Sequence, residues 1–381
     1  MHSKKNFQTL LKQSVCHITS VHPRYDSRIF LKQARSLASN GYKVSIVVSD
    51  GIGNEVKDGI SIFDVGSSNN RFKRIFKATS KIYNQAKIID ADIYHLHDPE
   101  LIPIGLRLKR FGKIVIFDAH EDSPEQLLTK PYLNKPTRIL LSRLHSLFEL
   151  LSCRHFDAII ASTPFITNKF HNINKNSINI NNYCILDEFE FGSFQIRDKS
   201  LYVCYIGNIS DSRGIFEMIN ALQFVTNKVR LLLAGKFNDV SVKSRVKAKK
   251  GWAHVDELGW LNRKEVAIVL KQSFAGLLLL HPFTNYIYSK PIKLFEYMAS
   301  GIPVIASNFQ LWKSIIEGND CGICLNPLEP RAIAHAIDFL FNNPDRAEMM
   351  GNNGRIAVTR FYNWSNEEQK LLRLYHDLLK T

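Results

Sequence analysis

Short apolar runs with strand-like spacing alternate along this chain with longer stretches whose apolar positions recur every three or four residues. Val15–Val21 reads as a first strand, Ile29–Ser39 as a helix after the polar loop "HPRYDSR", and Lys43–Ser49 as the next strand. Strand, crossover helix and strand at this spacing make a βαβ unit, so a parallel sheet is expected to begin here. The rhythm continues through "DIYHLHDPELIPIGL" (Asp92–Leu106), "KIVIFDAHEDSPEQ" (Lys113–Gln126) and "DAIIAST" (Asp157–Thr163), with a shorter strand in Asn176–Tyr183. From Cys184 to Ser200 the periodicity lapses and charge rises, which marks a linker. "LYVCYIGNISDSRGIFEMINAL" (Leu201–Leu222) then restarts the pattern as strand, glycine turn and helix. Val229–Phe237, Val255–Leu261 and Ala275–Pro282 read as further strands, with a helix over Arg263–Gln272 and others after Pro330 and Pro344. The pattern predicts an α/β chain with domains over 1–190 and 201–360, a linker at 191–200, and a terminal helix over 361–381. Ser365 is placed to cap that last helix, with Glu367 and Glu368 in its first turn.

The most informative stretch is "SKPIKLFEYMASGIPVIAS" (Ser289–Ser307), a short helix running into a buried strand. Ser289 is placed to cap the helix, Pro291 suits its first turn, and Leu294, Phe295 and Met298 form an inward face. Gly301 falls where a left-handed helix end is usual, and the strand follows from Pro303. Lys293 and Glu296 share the other face near the positive end of the helix. They could hold a phosphate and sugar hydroxyls, or simply form a surface salt bridge.

Polar residues cluster where strands end, the side on which α/β proteins bind ligands. Asp26 and Arg28, in the first such loop, are candidates for substrate contact or for a local pair that shapes the loop. His95, His97, Asp98, Asp118, His120, Glu121 and Asp122 are expected to converge at one rim. Such residues invite a metal, but no H-E-x-x-H or similar spacing fixes a coordination sphere, and Asp122 is equally placed to cap the next helix. In the second half, Gly207 ends a strand and Arg213–Gly214 opens a helix, a geometry suited to a diphosphate. The G-x-G-x-x-G fingerprint is absent, which argues against a dinucleotide oxidoreductase.

Composition narrows the picture. At 381 residues the chain exceeds one ordinary core, and 45% hydrophobic content with 24 Phe furnishes two. A net charge of +15 implies acidic partners, and nucleic acid is set aside because neither an aromatic-basic RNA signature nor zinc-finger spacing occurs. No apolar run of about 18 residues predicts a membrane span. "MHSKKNFQTLLKQS" lacks a signal peptide's apolar stretch, so a cytoplasmic location is expected. Six Cys are scattered; the lone Cys321–Cys324 pair reads as small buried residues rather than a metal site. Arg71–Ile89 carries six Lys or Arg and no acid around an apolar side of Phe72, Ile75, Phe76, Ile82 and Tyr83. It is expected to rest on anionic lipid at about 1 kcal/mol per cation, the alternative being a helix packed on the sheet. In Pro131–His155 the stripe Ile139, Leu140, Leu144, Leu147, Phe148 and Leu151, flanked by Lys135, Arg138 and Arg143, is expected to pack in the core, with a membrane or acceptor surface as the alternative.

The Ser289–Ser307 stretch resembles the donor motif of the retaining glycosyltransferases of family 4, E-x7-E-A-M-A-x-G-x-P-V-I-A. Glu296 matches the second Glu, while Tyr288 stands in place of the first. The form "P-x-K-x-x-E-Y-M-A-x-G-x-P-V" resembles a branch that assembles polysaccharides. The resemblance implies the GT-B fold: two Rossmann-like domains facing each other across a cleft, the last helix crossing back onto the N-terminal domain. It implies transfer of a sugar, with retention, from a nucleoside-diphosphate donor to a lipid-linked saccharide in polysaccharide or lipopolysaccharide assembly, at the inner face of the cytoplasmic membrane. No metal or other cofactor is implied. Arg213 stands where the Lys of the family's "G-R…K-G" falls, and Asn208 replaces its Arg. Arg213 and Lys293 would then stabilise the departing diphosphate, and His120 of "DAHE" would orient the sugar. Gly207, Asn208, Gly214, Ser289, Pro291 and Glu296 would line the donor, with Gly259 and Trp260 near the base. Asp26, Arg28, Asp98 and Glu121 remain acceptor or loop candidates. Three other readings stay open: a nucleotide-sugar 2-epimerase of the same fold, a metal-dependent hydrolase using the His/Asp rim, and a membrane-binding scaffold without activity.

Overall fold

The computed structural model describes residues 13–67, 78–128, 133–189 and 201–380. The chain packs as two units, Met1–Asn181 with Glu367–Thr381, and Asn182–Asn366. The first unit holds an eight-stranded sheet. In chain order its strands are β1 (Ser14–Ile18), β2 (Lys43–Val48), β3 (Glu55–Lys57), β4 (Ile60–Asp64), β5 (Ile93–Leu96), β6 (Ile114–Ala119), β7 (Ala158–Ala161) and β8 (Ser177–Asn179). Their spatial order is β3-β4-β2-β1-β5-β6-β7-β8, parallel throughout except for the β3–β4 hairpin at the edge. The parallel strands are apolar runs because helices cover both faces of the sheet. The order turns back between β1 and β5, so the loops after these two strands open side by side.

The second unit holds β9 (Tyr202–Ile206), β10 (Arg230–Ala234), β11 (Val255–Gly259), β12 (Ser273–Leu278), β13 (Val304–Ser307) and β14 (Gly322–Leu325), all parallel. Their order is β11-β10-β9-β12-β13-β14, which reverses between β9 and β12. One face buries Ile215, Met218 and Ile219 with Ile333 and Ile337; the other buries Leu294, Phe295 and Met298 with Trp312 and Ile316.

Several expectations change. Tyr183, Cys184 and Phe189 belong to the second unit's core, Tyr183 meeting Phe295 edge-on at 4.6 Å. The first unit therefore stops at Asn181, ahead of the expected boundary at 190, and the linker placed at 191–200 lies outside the described residues. The last helix, Trp364–Leu378, does return to the first unit, where Leu371 and Tyr375 are buried. Its cap is Asn363, whose side chain accepts from Asn366 N–H at 3.1 Å, rather than Ser365. Glu367 is buried, accepting from the Asn181 backbone at 2.8 Å.

The helix Lys135–Cys153 overturns the core-packing expectation. It buries Ser142, Glu149, Ser152 and Cys153, and leaves Leu140 (58%), Leu144 (53%), Leu147 and Leu151 about half exposed. A charged contact explains the rotation: Lys169 Nζ bonds both Glu149 (2.7 Å) and Asp122 (2.8 Å), drawing the polar side inward. Of the basic segment, the helix Thr79–Ile89 is described, and its Ile82 and Ala86 pack into the sheet's core. Phe72, Ile75 and Phe76 lie outside the described residues. Among the described residues no helix is long and apolar enough to cross a membrane.

Candidate functional site

The reversal between β9 and β12 places Gly207, at the end of β9, beside the start of the helix Ile215–Leu222. Gly214 must be glycine. Its φ is 75°, and a Cβ there would lie 2.0 Å from the Leu279 carbonyl oxygen, so a side chain would break the approach of the helix start to the segment after β12. This tight seat aims the preceding turn, Asp211–Arg213, at the mouth of the switch point.

Lys293 arrives at the same place from the helix Ile292–Ala299. Its Nζ lies 3.3 Å from the Tyr205 hydroxyl and 4.4 Å from the centre of that ring, and a Cβ on Gly207 would come within 2.6 Å of it. Arg213 lies close enough to the same hydroxyl to oppose its upward shift, and stands over the Tyr286 ring at 5.9 Å. Two cations thus stand close to one phenol, and among the described residues neither has a carboxylate at ion-pair distance. Burial, reinforced by the nearby Arg213 charge, lowers the Lys293 ammonium to about 7. Burial also pushes the Tyr205 hydroxyl up to about 12, opposed by Arg213.

The helix begins differently from the sequence reading. Pro291 sits at the cap position, outside the first turn, and Ser289 does not cap: its hydroxyl donates to Tyr286 O at 2.9 Å while its carbonyl accepts from Trp312 Nε1 at 2.8 Å. The leading N–H groups therefore have no side-chain cap. Lys293 and Glu296 are both buried rather than on a solvated face, and they do not pair with each other. Glu296 Oε1 instead accepts from Arg263 Nη1 at 2.6 Å, and Arg263 also binds Glu188. Sequence spacing missed Arg263 and Tyr205; neither stands in a recognisable motif, and each meets its partner only through the fold. Asn208 is exposed, its carbonyl accepting from the Tyr205 hydroxyl at 2.7 Å. Gly259 ends β11, and Trp260 beyond it is 66% exposed.

In the first unit the expected rim does assemble, and most of it is sealed. Arg28 is no surface contact: it is buried, donating to both oxygens of Asp118 at 2.8 Å and to Ile180 O at 2.9 Å. Asp26 does not pair with it, instead accepting from the N–H groups of Arg28 (2.8 Å) and Ile29 (3.0 Å). Asp98 is buried too, accepting from Thr19 Oγ1 at 2.8 Å and Ser20 N–H at 2.6 Å, which pins the loop after β1. Glu121 is exposed. Asp122 holds Lys169. His120 is partly exposed, with Nε2 at 3.2 Å from His97 Nδ1 and 3.4 Å from Asp118 Oδ2. Burial opposes charge on Asp118, yet Arg28 with His120 and His97 holds its carboxyl well below the usual range.

Residues 187–357 match the family described as Glycosyl transferases group 1, and residues 27–179 match Glycosyltransferase Family 4. An uncharacterised glycosyltransferase of Methanocaldococcus jannaschii is 23% identical over 194 residues, 48% of this chain and 46% of that protein. The chain thus spans about half the length of that relative. Among solved structures, sucrose-phosphate synthase from Thermosynechococcus elongatus has a TM-score of 0.78 at 17% identity, covering 97% of this chain and 99% of that one. Anabaena HepE in complex with UDP-glucose gives 0.74 at 12% identity, with 96% and 99% covered. A glycosyltransferase from Rickettsia africae gives 0.72 at 15%, with 97% and 99% covered. At these identities the structural likeness speaks for the fold, which is GT-B.

Proposed function

We propose, for a chain that belongs to the GT-B glycosyltransferases built from family 4 and group 1 modules, that its donor is a nucleoside-diphosphate sugar held in the second unit. The observation that carries this reading is the pair of cations, Arg213 and Lys293, brought together beside Tyr205 with, among the described residues, no carboxylate at ion-pair distance from either. Two like charges in a partly desolvated place destabilise each other, and a bound diphosphate relieves both. The uncapped N-terminus of the helix Ile292–Ala299 adds N–H donors on the same side. Glu296 would take the ribose hydroxyls after exchanging its contact with Arg263, and Gly259 with the exposed Trp260 would border the base.

Transfer breaks the bond from the sugar's anomeric carbon to a diphosphate oxygen, which keeps the electron pair. The charge therefore develops where Arg213 and Lys293 stand, and a preorganised cation there lowers the barrier without a metal. The acceptor hydroxyl forms the new bond with retention, and His120 would orient the transferred sugar, both as the family resemblance implies. A lipid-linked saccharide is the proposed acceptor, in cell-surface polysaccharide assembly at the membrane's inner face. The open leucine stripe of the helix Lys135–Cys153, with exposed Lys135 and Arg143 beside it, supports contact with anionic lipid.

A thermal-shift panel of uridine, guanosine, adenosine and thymidine diphosphate sugars tests the donor. One base should raise Tm through selective binding, and Arg213→Ala should remove that shift while leaving the ligand-free Tm unchanged. No shift with any sugar nucleotide, or a shift that survives Arg213→Ala, sinks the reading. Donor turnover without acceptor would identify the 2-epimerase instead.

A further inference from the structure

Where the first sheet reverses, adjacent strands bring four imidazoles and a carboxylate together. His17 on β1 lies opposite His95 on β5, His97 follows β5, Asp118 lies on β6 and His120 just beyond it. Three of the imidazoles are joined end to end. His17 Nδ1 meets His97 Nε2 at 2.9 Å, and His97 Nδ1 meets His120 Nε2 at 3.2 Å. Both nitrogens of His97 are used. His17 and His97 are buried, and only His120 reaches solvent, with 18% of its side chain exposed. The inner end of the chain is His17 Nε2, which is sealed and has no hydrogen-bond partner.

A neutral imidazole carries one N–H and one lone pair, so the three rings have only two consistent arrangements. If protons point inward, His120 Nε2–H donates to His97, His97 Nε2–H donates to His17, and a sealed N–H is stranded at His17 Nε2. If they point outward, His17 Nδ1–H donates to His97, His97 Nδ1–H donates to His120 Nε2, and only a lone pair is stranded. Orphaned buried N–H groups are the rarer and costlier of the two defects. Asp118 does not decide the matter. Its Oδ2 lies 3.4 Å from His120 Nε2 and 3.6 Å from His97 Nδ1, so it favours a proton in that gap whichever ring owns it. The rings of His17 and His97 stay neutral, as the scheme requires: burial drives both below the ordinary imidazole range, His97 to about 4. The His22 ring lies 4.8 Å from that of His120, tilted by 43°, but its own nitrogens face Asp26 and Asp98.

We propose that His17 and His97 are positioning residues that lock His120 in its Nδ1–H tautomer, so that it presents a hydrogen-bond donor, never a base, to its ligand. The identity of that ligand rests on the sugar-transfer reading. The chemistry is then defined: with its outward nitrogen protonated, neutral His120 donates to a hydroxyl oxygen of the transferred sugar, and the acceptor's proton leaves by another route, to the departing diphosphate oxygen. The proximity of His17, His95 and His97, and of His97, Asp118 and His120, also fits a metal. A metal on either trio would need a nitrogen of His97, both of which the imidazole chain already uses, so the two arrangements exclude each other and the metal content of the protein separates them.

The tautomer is read on the ligand-free full chain by long-range proton–nitrogen NMR with histidine labelled, His120 being assigned through His120→Gln. The wild type and His17→Asn, whose amide can replace the Nδ1–H donor, should both show His120 as the Nδ1–H form. His17→Leu should lose that preference and lower kcat about tenfold with little change in donor KM, because the His120 contact counts most as the sugar is transferred. An Nε2–H tautomer in the wild type, an unchanged tautomer in His17→Leu, or stoichiometric metal on the purified protein would overturn the proposal. Should His17→Leu not fold, the wild-type tautomer decides alone. A correct tautomer alongside undiminished transfer by His120→Gln would refute the sugar contact and leave the tautomer lock standing.

Discussion

Lys293 allows the diphosphate reading to be tested by pH. In the free protein its ammonium is lowered to about 7 from an ordinary 10.5 by burial and by Arg213, so at pH 8 most of it is neutral. A diphosphate seated against both cations restores the charge, and binding takes up a proton. If the ligand returns Lys293 to its ordinary value, linkage makes affinity fall about fiftyfold between pH 7 and pH 9, roughly 2.3 kcal/mol. Calorimetry at pH 8, in buffers of different ionisation enthalpy, should report uptake of about one proton per nucleoside diphosphate. The ligand does not confuse this, because its last phosphate ionisation lies near about 6. Lys293→Arg keeps its charge throughout and should flatten the profile. The same shift acts on folding. Below pH 7 the ammonium is charged in both folded and unfolded chains, and its burial costs about 3–5 kcal/mol in full. As pH rises from 7 towards 10.5 the unfolded chain holds the extra proton and the cost disappears. Lys293→Met should therefore raise Tm most at pH 6 and least near pH 10. Affinity that is level from pH 7 to 9 in the wild type, or a slope that persists in Lys293→Arg, would refute the reasoning.

Two further predictions follow from the first unit. Arg28→Met leaves the Asp118 carboxylate buried without its bidentate partner and should cost about 3–5 kcal/mol in urea unfolding; a loss below 1 kcal/mol would mean the pair is not formed in solution. Replacing Leu144, Leu147 and Leu151 together by Glu should abolish flotation with anionic vesicles while changing Tm by less than about 2 °C, because these positions are already about half exposed; a large fall in Tm would instead assign the stripe to packing.

The sheets were legible because a parallel strand covered on both sides must be an apolar run, as Ala158–Ala161 and Leu231–Ala234 are. The β3–β4 hairpin went unnoticed since its strands are short and Val56 is exposed, although Asp58–Gly59, both at positive φ, is a recognised hairpin turn. Caps were misplaced where two polar residues competed within a few positions: Asn363, not Ser365, closes the last helix. Helical spacing put Lys293 and Glu296 on one side correctly, but period says nothing about what lies over that side, and here it is β9's end and Arg263. Arg28 with Asp118, 90 residues apart, pair only through the fold. The leucine stripe was read correctly as a stripe and wrongly as core, because the Lys169–Glu149 contact turns the helix.

The return of Glu367–Thr381 to the first unit has a consequence for biosynthesis. Tyr375 hydrogen-bonds His95 at 2.8 Å in the interior of a sheet whose first strand begins at Ser14. On the ribosome that interior stays unsealed while all of Asn182–Asn366 is being made, so the half translated first is finished last. A premature stop before Glu367 would injure the amino-terminal half and spare the neighbouring one.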